Sequence, residues 1–180
     1  AGEAFDKVAK LLGLPYPGGA AIERLATMGD PGSIKFPRPL LHDGSCNLSF
    51  SGLKTAVLTY LKKNPHSLEE GRLNDISASF QAAVCDVLVA KTAAAVSATG
   101  VKRVVMAGGV ACNGALRLEM ERLAAALGLE LHIPSPALCT DNAAMIAVPG
   151  DFYLTQGITG GPDLDSITVW PLDGLAARLG

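Results

Sequence analysis

Charge is scarce in this 180-residue chain. Asp, Glu, Lys and Arg make up only 18% of it, against about 25% in an ordinary domain. Acidic residues number 17 and basic residues 15, a formal net charge of −2. A generic electrostatic nucleic-acid binder would be strongly basic, so any RNA contact must be local. Aromatic residues are 5%, too few for a single-strand stacking platform. No unbroken apolar run of about 18 residues occurs, so no transmembrane helix is expected. The longest apolar stretch, 82–96, is interrupted by Asp86 and Lys91. The first residues lack the basic-then-apolar pattern of a secretory signal. Cys46, Cys85, Cys112 and Cys139 form no C-x-x-C pair, which removes zinc ribbons and thioredoxin-type motifs. Reduced, mostly buried thiols in a cytoplasmic protein are the expectation. His42, His66 and His132 include no i, i+4 pair, so local histidine spacing cannot build a metal site.

What is abundant is apolar. The hydrophobic share is 49%, which together with the low charge excludes intrinsic disorder. The length allows one domain. Phe5, Val8, Ala9 and Leu12 fall at i, i+3, i+4 and i+7, one face of a helix. Gly13 and Pro15 stop it. Residues 15–42 are rich in Gly and Pro and read as surface loops with a short helix over 20–28. The stretch 48–51 alternates like a strand, and 52–63 reads as helical. The strongest element is a helix over 74–99, with Asn74 or Asp75 as its cap. A buried strand over 101–107, a Gly108-Gly109 turn, a helix over 114–127 and a second strand over 129–133 follow. Thr140 or Asp141 caps a last helix reaching about 148, where Pro149 should end or kink it. This alternation predicts an α/β fold with parallel strands and helical crossovers. Two confident strands are few for an open sheet. Others come from elsewhere, or 167–170 joins as an edge.

Two strand-end segments could carry chemistry, because ligands of open α/β sheets sit at the carboxyl ends of strands. Gly108-Gly109-Val110-Ala111-Cys112-Asn113-Gly114 joins a strand to a helix N-terminus, where glycines admit a ligand to the backbone and free N–H groups favour anions. Alone this leaves a structural turn and a nucleotide contact both open. Thr140-Asp141-Asn142 occupies the equivalent place after the second strand. Asp141 is either an ordinary cap or an exposed carboxylate able to take a metal. His132, on a predicted strand, reads as structural. Ser51-Gly52-Leu53-Lys54-Thr55 fails as a phosphate-binding loop, lacking the glycine spacing.

Five segments in order resemble one family. They are Gly2-Glu3-Ala4-Phe5-Asp6-Lys7 with Leu11-Leu12-Gly13-Leu14; Tyr16-Pro17-Gly18-Gly19; Phe50-Ser51-Gly52-Leu53-Lys54-Thr55-Ala56-Val57; Gly108-Gly109-Val110-Ala111-Cys112-Asn113; and Cys139-Thr140-Asp141-Asn142-Ala143-Ala144-Met145-Ile146-Ala147. The chain over 1–147 resembles the bacterial tRNA adenosine threonylcarbamoyltransferases, TsaD, formerly described as glycoproteases. The resemblance implies an α/β fold of the actin, sugar-kinase and Hsp70 class, with a nucleotide between two lobes. This chain corresponds to a partial C-terminal lobe with parallel strands, helical crossovers and a helical insertion. One domain is expected over 1–180: helix, loops and insertion over 1–73, an α/β core over 74–159 and a tail over 160–180, which matches the family poorly.

The implied reaction moves a threonylcarbamoyl group from threonylcarbamoyl-AMP to N6 of the adenosine 3′ of the anticodon, in tRNAs that read codons starting with A. By resemblance Asp6 and Glu23 hold the adenylate, plausibly through ribose hydroxyls, Gly19 offers a backbone contact and Asn113 contacts the nucleotide. Asp141 is the third ligand of one divalent metal, iron by resemblance with zinc as the alternative. Its companions are two histidines of a lobe absent here. A small adaptor paralogue and an ATPase are the implied partners, with no membrane involved. A metal-dependent endopeptidase and a non-catalytic scaffold paralogue are the competing functions. The first needs a general base that no motif in this chain supplies.

Overall fold

A computed structural model of the chain describes residues 1–65, 71–162 and 165. Helix α1 (Gly2–Leu11) buries Ala4, Phe5, Val8 and Ala9 along the expected stripe, and Leu12 caps it from the same face. Gly13 then takes a φ of +71°, the left-handed turn that ends helices cheaply only with glycine. Helix α2 (Gly18–Ala26) turns Ala21, Ile22 and Ala26 inward. Helix α3 (Ser51–Lys63) inserts Leu53 and Val57. All three belong to one core with the first half of α4 (Arg72–Thr99), which contributes Ile76, Phe80, Ala83 and Val84. The Phe5 and Phe80 rings meet edge to face at 5.2 Å, the arrangement their quadrupoles favour. The turn after α2 rides on the α4 backbone. A Cβ on Gly29 would lie 2.2 Å from the Asn74 carbonyl oxygen, so only glycine permits that approach.

By length and composition α4 could cross a membrane, with a mean hydropathy of 1.5 over 18 residues. That departs from the expectation above, because Asp86 and Lys91 interrupt the run without lowering its average enough. Here α4 is the central helix of a packed core, and it keeps polar side chains inside. Gln81 and Lys91 are buried. The Lys91 ammonium is 5% exposed and is held by the Asp43 carboxylate at 2.5 Å and the Ser45 carbonyl at 2.6 Å. Asp86 pairs with Arg38 at 2.8 Å.

The rest of the α/β pattern follows α4. Strands β1 (Arg103–Val105) and β2 (Glu130–His132) pair in parallel, with Val104 opposite Leu131. Bonds from Glu130 to Lys102 at 2.8 Å and from Met106 to His132 at 3.0 Å extend the ladder. A short 3₁₀ turn (Gly109–Cys112) leads to α5 (Gly114–Leu127), which crosses back to β2. Cys85, Leu116 and Met120 form a second core, with Val104 and Leu131 against it. Helix α6 (Pro136–Cys139) follows β2. The described chain divides into two compact units, Ala1–Asp141 and Asn142–Gly180. The second contains α7 (Ala144–Thr155), none of whose residues is buried.

Several expectations need correction. The 48–51 stretch is not a strand: Phe50 immediately precedes α3 and packs against the first core, since four alternating residues without a partner strand gain no ladder. Neither Asn74 nor Asp75 caps α4. Gly71 precedes the helix, and the Asp75 carboxylate instead accepts the Asp30 N–H at 2.8 Å. The strands are three residues each, with only their central residues half-buried and Val105 70% exposed. Helices cover one face of this sheet, whereas a buried parallel strand needs cover on both. His132 is correspondingly exposed beside Glu130, at 3.0 Å. Thr140 and Asp141 do not cap the last helix. Ala143 precedes α7, and the Asn142 side-chain Oδ1 accepts the Met145 N–H at 3.1 Å. Pro149 does not end α7, which runs on to Thr155. The proposed edge at 167–170 and His66 lie outside the described residues.

The Lys91–Asp43 pair makes stability depend on pH. The Lys91 ammonium and the Ser45 hydroxyl and N–H hold the Asp43 carboxyl down from 3.8 to about 2. The unfolded chain therefore takes up the proton first as pH falls. This contribution is complete above about pH 4 and is lost as pH drops through about 2. Urea unfolding at stepped pH should show it. Asp43→Asn should remove that part of the acid dependence and lower stability at neutral pH, because it strands a buried ammonium.

Candidate functional site

The first carboxylate of interest stands at the start of α2. No side chain within α2 caps it, and the first N–H groups of a helix need partners. Asp6, on the outward face of α1, supplies one: its Oδ1 accepts the Gly18 N–H at 3.0 Å. The fit is close. A Cβ on Gly18 would lie 2.7 Å from the Ala9 Cβ and 2.8 Å from the Asp6 Cα. Gly19, the next residue, is half-buried, and nothing lies within 4 Å of where its Cβ would be. Its backbone is open to a ligand. A cavity of 340 Å³ beside it is lined by Asp6, Lys7, Lys10, Tyr16 and Gly18, among others, within the usual size of small-ligand pockets, about 300–1,000 Å³.

The second carboxylate stands at the start of α5. Glu23 lies four residues after Gly19, hence on the same face of α2. Its Oε1 accepts the Gly114 N–H at 2.6 Å. Asn113 caps α5 with its own Oδ1, taking the Leu116 N–H at 2.9 Å. The Asn113 Nδ2 donates to Gln81 Oε1 at 2.7 Å. Asn113 is 6% exposed, so its side chain is largely spent on shaping the loop. One donor hydrogen and one lone pair of the amide remain. The structure thus brings Asp6, Gly19, Glu23 and Asn113 into one row running from α1 across α2 to α5. Two carboxylates in such a row accept hydroxyl donors, as the acidic residue of a dinucleotide site does with ribose, and they disfavour a bare phosphate beside them.

Asp141 is joined to that row by no hydrogen bond among the described residues. It is exposed, two residues beyond α6. Among the described residues no three His, Cys, Asp or Glu side chains gather. A carboxylate is a suitable oxygen donor for iron(II) or zinc, but one donor is a corner of a coordination sphere. Asp141 therefore fits a share in a metal site and cannot hold the ion with this chain's described residues alone.

The chain's residues 1–148 match the family model described as TsaD, tRNA N6-adenosine threonylcarbamoyltransferase. The chain belongs to the TsaD family. It is 72% identical over 179 residues to the tRNA N6-adenosine threonylcarbamoyltransferase of Geotalea uraniireducens (strain Rf4), which covers 99% of this chain and 52% of that protein. The like-named protein of Geobacter sp. (strain M21) is also 72% identical over the same shares. That of Syntrophotalea carbinolica is 53% identical over 173 residues, 96% of this chain and 51% of that protein. The chain spans about half the length of the curated relatives it matches.

Two residues that organise this row and its neighbouring loops in the TsaD-family chain escape the sequence motifs. Gln81 is a polar residue in the apolar run of α4, and its burial against Asn113 is the signal such a residue gives. Arg117 ties the loops at the two strand ends together. Its Nε donates to the Ala111 carbonyl at 2.5 Å, and one terminal nitrogen reaches the Pro134 carbonyl at 3.0 Å. Nothing in its helical position distinguishes it from a surface arginine.

The neighbouring glycines should respond oppositely to a methyl group. Gly18→Ala should lower unfolding free energy by about 1–3 kcal/mol, as overpacking does. Gly19→Ala should leave it within about 0.5 kcal/mol of the parent. Urea denaturation of the two variants measures both.

Proposed function

We propose that this chain is the nucleotide-side half of a cytoplasmic tRNA N6-adenosine threonylcarbamoyltransferase, within an actin-like two-lobe fold. The supporting observation is the row of Asp6, Gly19, Glu23 and Asn113, in which two helix N-termini are each met by a carboxylate from another helix. In the proposed reaction the exocyclic amine of the target adenosine attacks the carbonyl carbon of threonylcarbamoyl-AMP. The mixed anhydride breaks and AMP leaves. Asp6 and Glu23 accept the ribose hydroxyls, Gly19 offers its backbone, and Asn113 holds the strand-end loop against the nucleotide. Orientation of this kind lowers the barrier by fixing the two reactants.

Asp141 would hold one divalent ion, iron or zinc, with ligands from the other half of the enzyme. When bound, such an ion polarises acyl and phosphate oxygens. The tRNA is the acceptor, and the family resemblance extends the proposal to an adaptor paralogue and an ATPase as partners.

Calorimetry with AMP tests the binding half of this proposal. The chain should bind AMP weakly, and Gly19→Ala should abolish binding while leaving the fold intact. In the longer enzyme, Asn113→Ala and Asp141→Ala should each reduce threonylcarbamoyl transfer at least tenfold. Unchanged transfer in both would remove these residues from the site.

A further inference from the structure

Parallel pairing of β1 and β2 sets the two strand-end loops side by side, and each loop carries a thiol. Cys112 is the last residue of the 3₁₀ turn after β1, and Cys139 is the last residue of α6 after β2. The Cys112 thiol donates to the Pro136 carbonyl at 3.6 Å, and the Cys139 thiol donates to the Pro134 carbonyl at 3.5 Å. The two thiols stand near enough for each to feel the other's charge. An Arg117 terminal nitrogen lies 3.4 Å from the Cys139 sulfur. Cys112 is partly exposed and Cys139 is buried, so an attacking residue stands at the surface with a resolving residue behind it. An accessible thiol next to a resolving one is the geometry through which a sulfenic acid condenses to a disulfide.

We propose that Cys112 and Cys139 form a redox-active dithiol that closes to a disulfide in the presence of a peroxide. The Cys112 sulfur attacks one peroxide oxygen, the O–O bond breaks, and a sulfenic acid and one water result. The Cys139 thiol then attacks that sulfur, the S–S bond forms and a second water leaves. Two thiols have lost two electrons and two protons to hydrogen peroxide. The link ties the loop ending at Asn113 to the turn that leads to Asp141. The chemistry of the pair does not depend on what the chain binds. Cys85 cannot compete, because burial and the nearby Asp86, Glu119 and Glu23 carboxylates push its thiol up to about 12. Cys46 is exposed, and no described cysteine is recorded in contact with it.

Peptide mass mapping of the 180-residue chain under non-reducing conditions, after hydrogen peroxide and alkylation, decides the matter. Burial and the neighbouring thiol hold Cys112 above its ordinary value, so mildly alkaline buffer speeds the reaction. The expected product is a monomer in which the Cys112 and Cys139 peptides are joined, lighter by two hydrogens. Dithiothreitol should restore both thiols, and Cys112→Ser or Cys139→Ser should abolish the link. Over-oxidation of Cys112 with Cys139 still free would overturn the proposal. So would oxidation confined to dimers bridged through Cys46. The map of the unaltered chain is decisive even if a serine variant folds poorly.

Discussion

Burial of α4 is the constraint on which the first unit depends. Its first half completes the core that α1, α2 and α3 share, and its middle supplies Cys85 and Leu88 to the core under the two strands. Phe80 is fully buried against Phe5, and the Gly29 turn lies on the helix backbone. Because one rigid helix serves both cores, the N-terminal helices and the strand-end loops hold fixed positions relative to each other. The 2.6 Å bond from Gly114 to Glu23 closes that arrangement. α4 enters the candidate site directly, since Gln81 projects from it to Asn113.

The cost of such a helix is visible in its polar residues. Lys91 is buried and held by Asp43 and the Ser45 carbonyl. The Ser77 hydroxyl is fully buried with no partner among the described residues, which works against stability. A helix this apolar is long and hydrophobic enough to cross a membrane, yet its interactions are those of a core. Averaged hydropathy cannot tell the two apart. The partners of Asp86 and Lys91 can.

Much of the fold was legible in the sequence. The α1 stripe, the extent of α5 with Gly128 at its end, and the parallel order of two strands all follow from periodicity and glycine placement. The misses share a cause, which is that local signals report propensity and not partners. Asp75 has a capping residue's chemistry, but a turn 45 residues away takes its carboxylate. Asp141 looks like a cap, and Asn142 fills that role. Val105 has a buried strand's composition, and no helix in the described unit covers it. For the candidate site, family resemblance singles out Asp6, Gly19, Glu23 and Asn113, and the structure sets them in one row through α2. The committed state of the Asn113 amide and the clamp at Arg117 were not legible, because both are long-range hydrogen bonds.

The central claim is that the row along α1, α2 and α5 receives an adenylate. Backbone amide shifts, followed by solution NMR as AMP is added to the 180-residue chain, test it most directly. The account predicts saturable changes at Gly18, Gly19 and Glu23 and across 108–114, with the α3 amides unmoved. Saturable changes confined to other surfaces, or none at millimolar AMP, would contradict it.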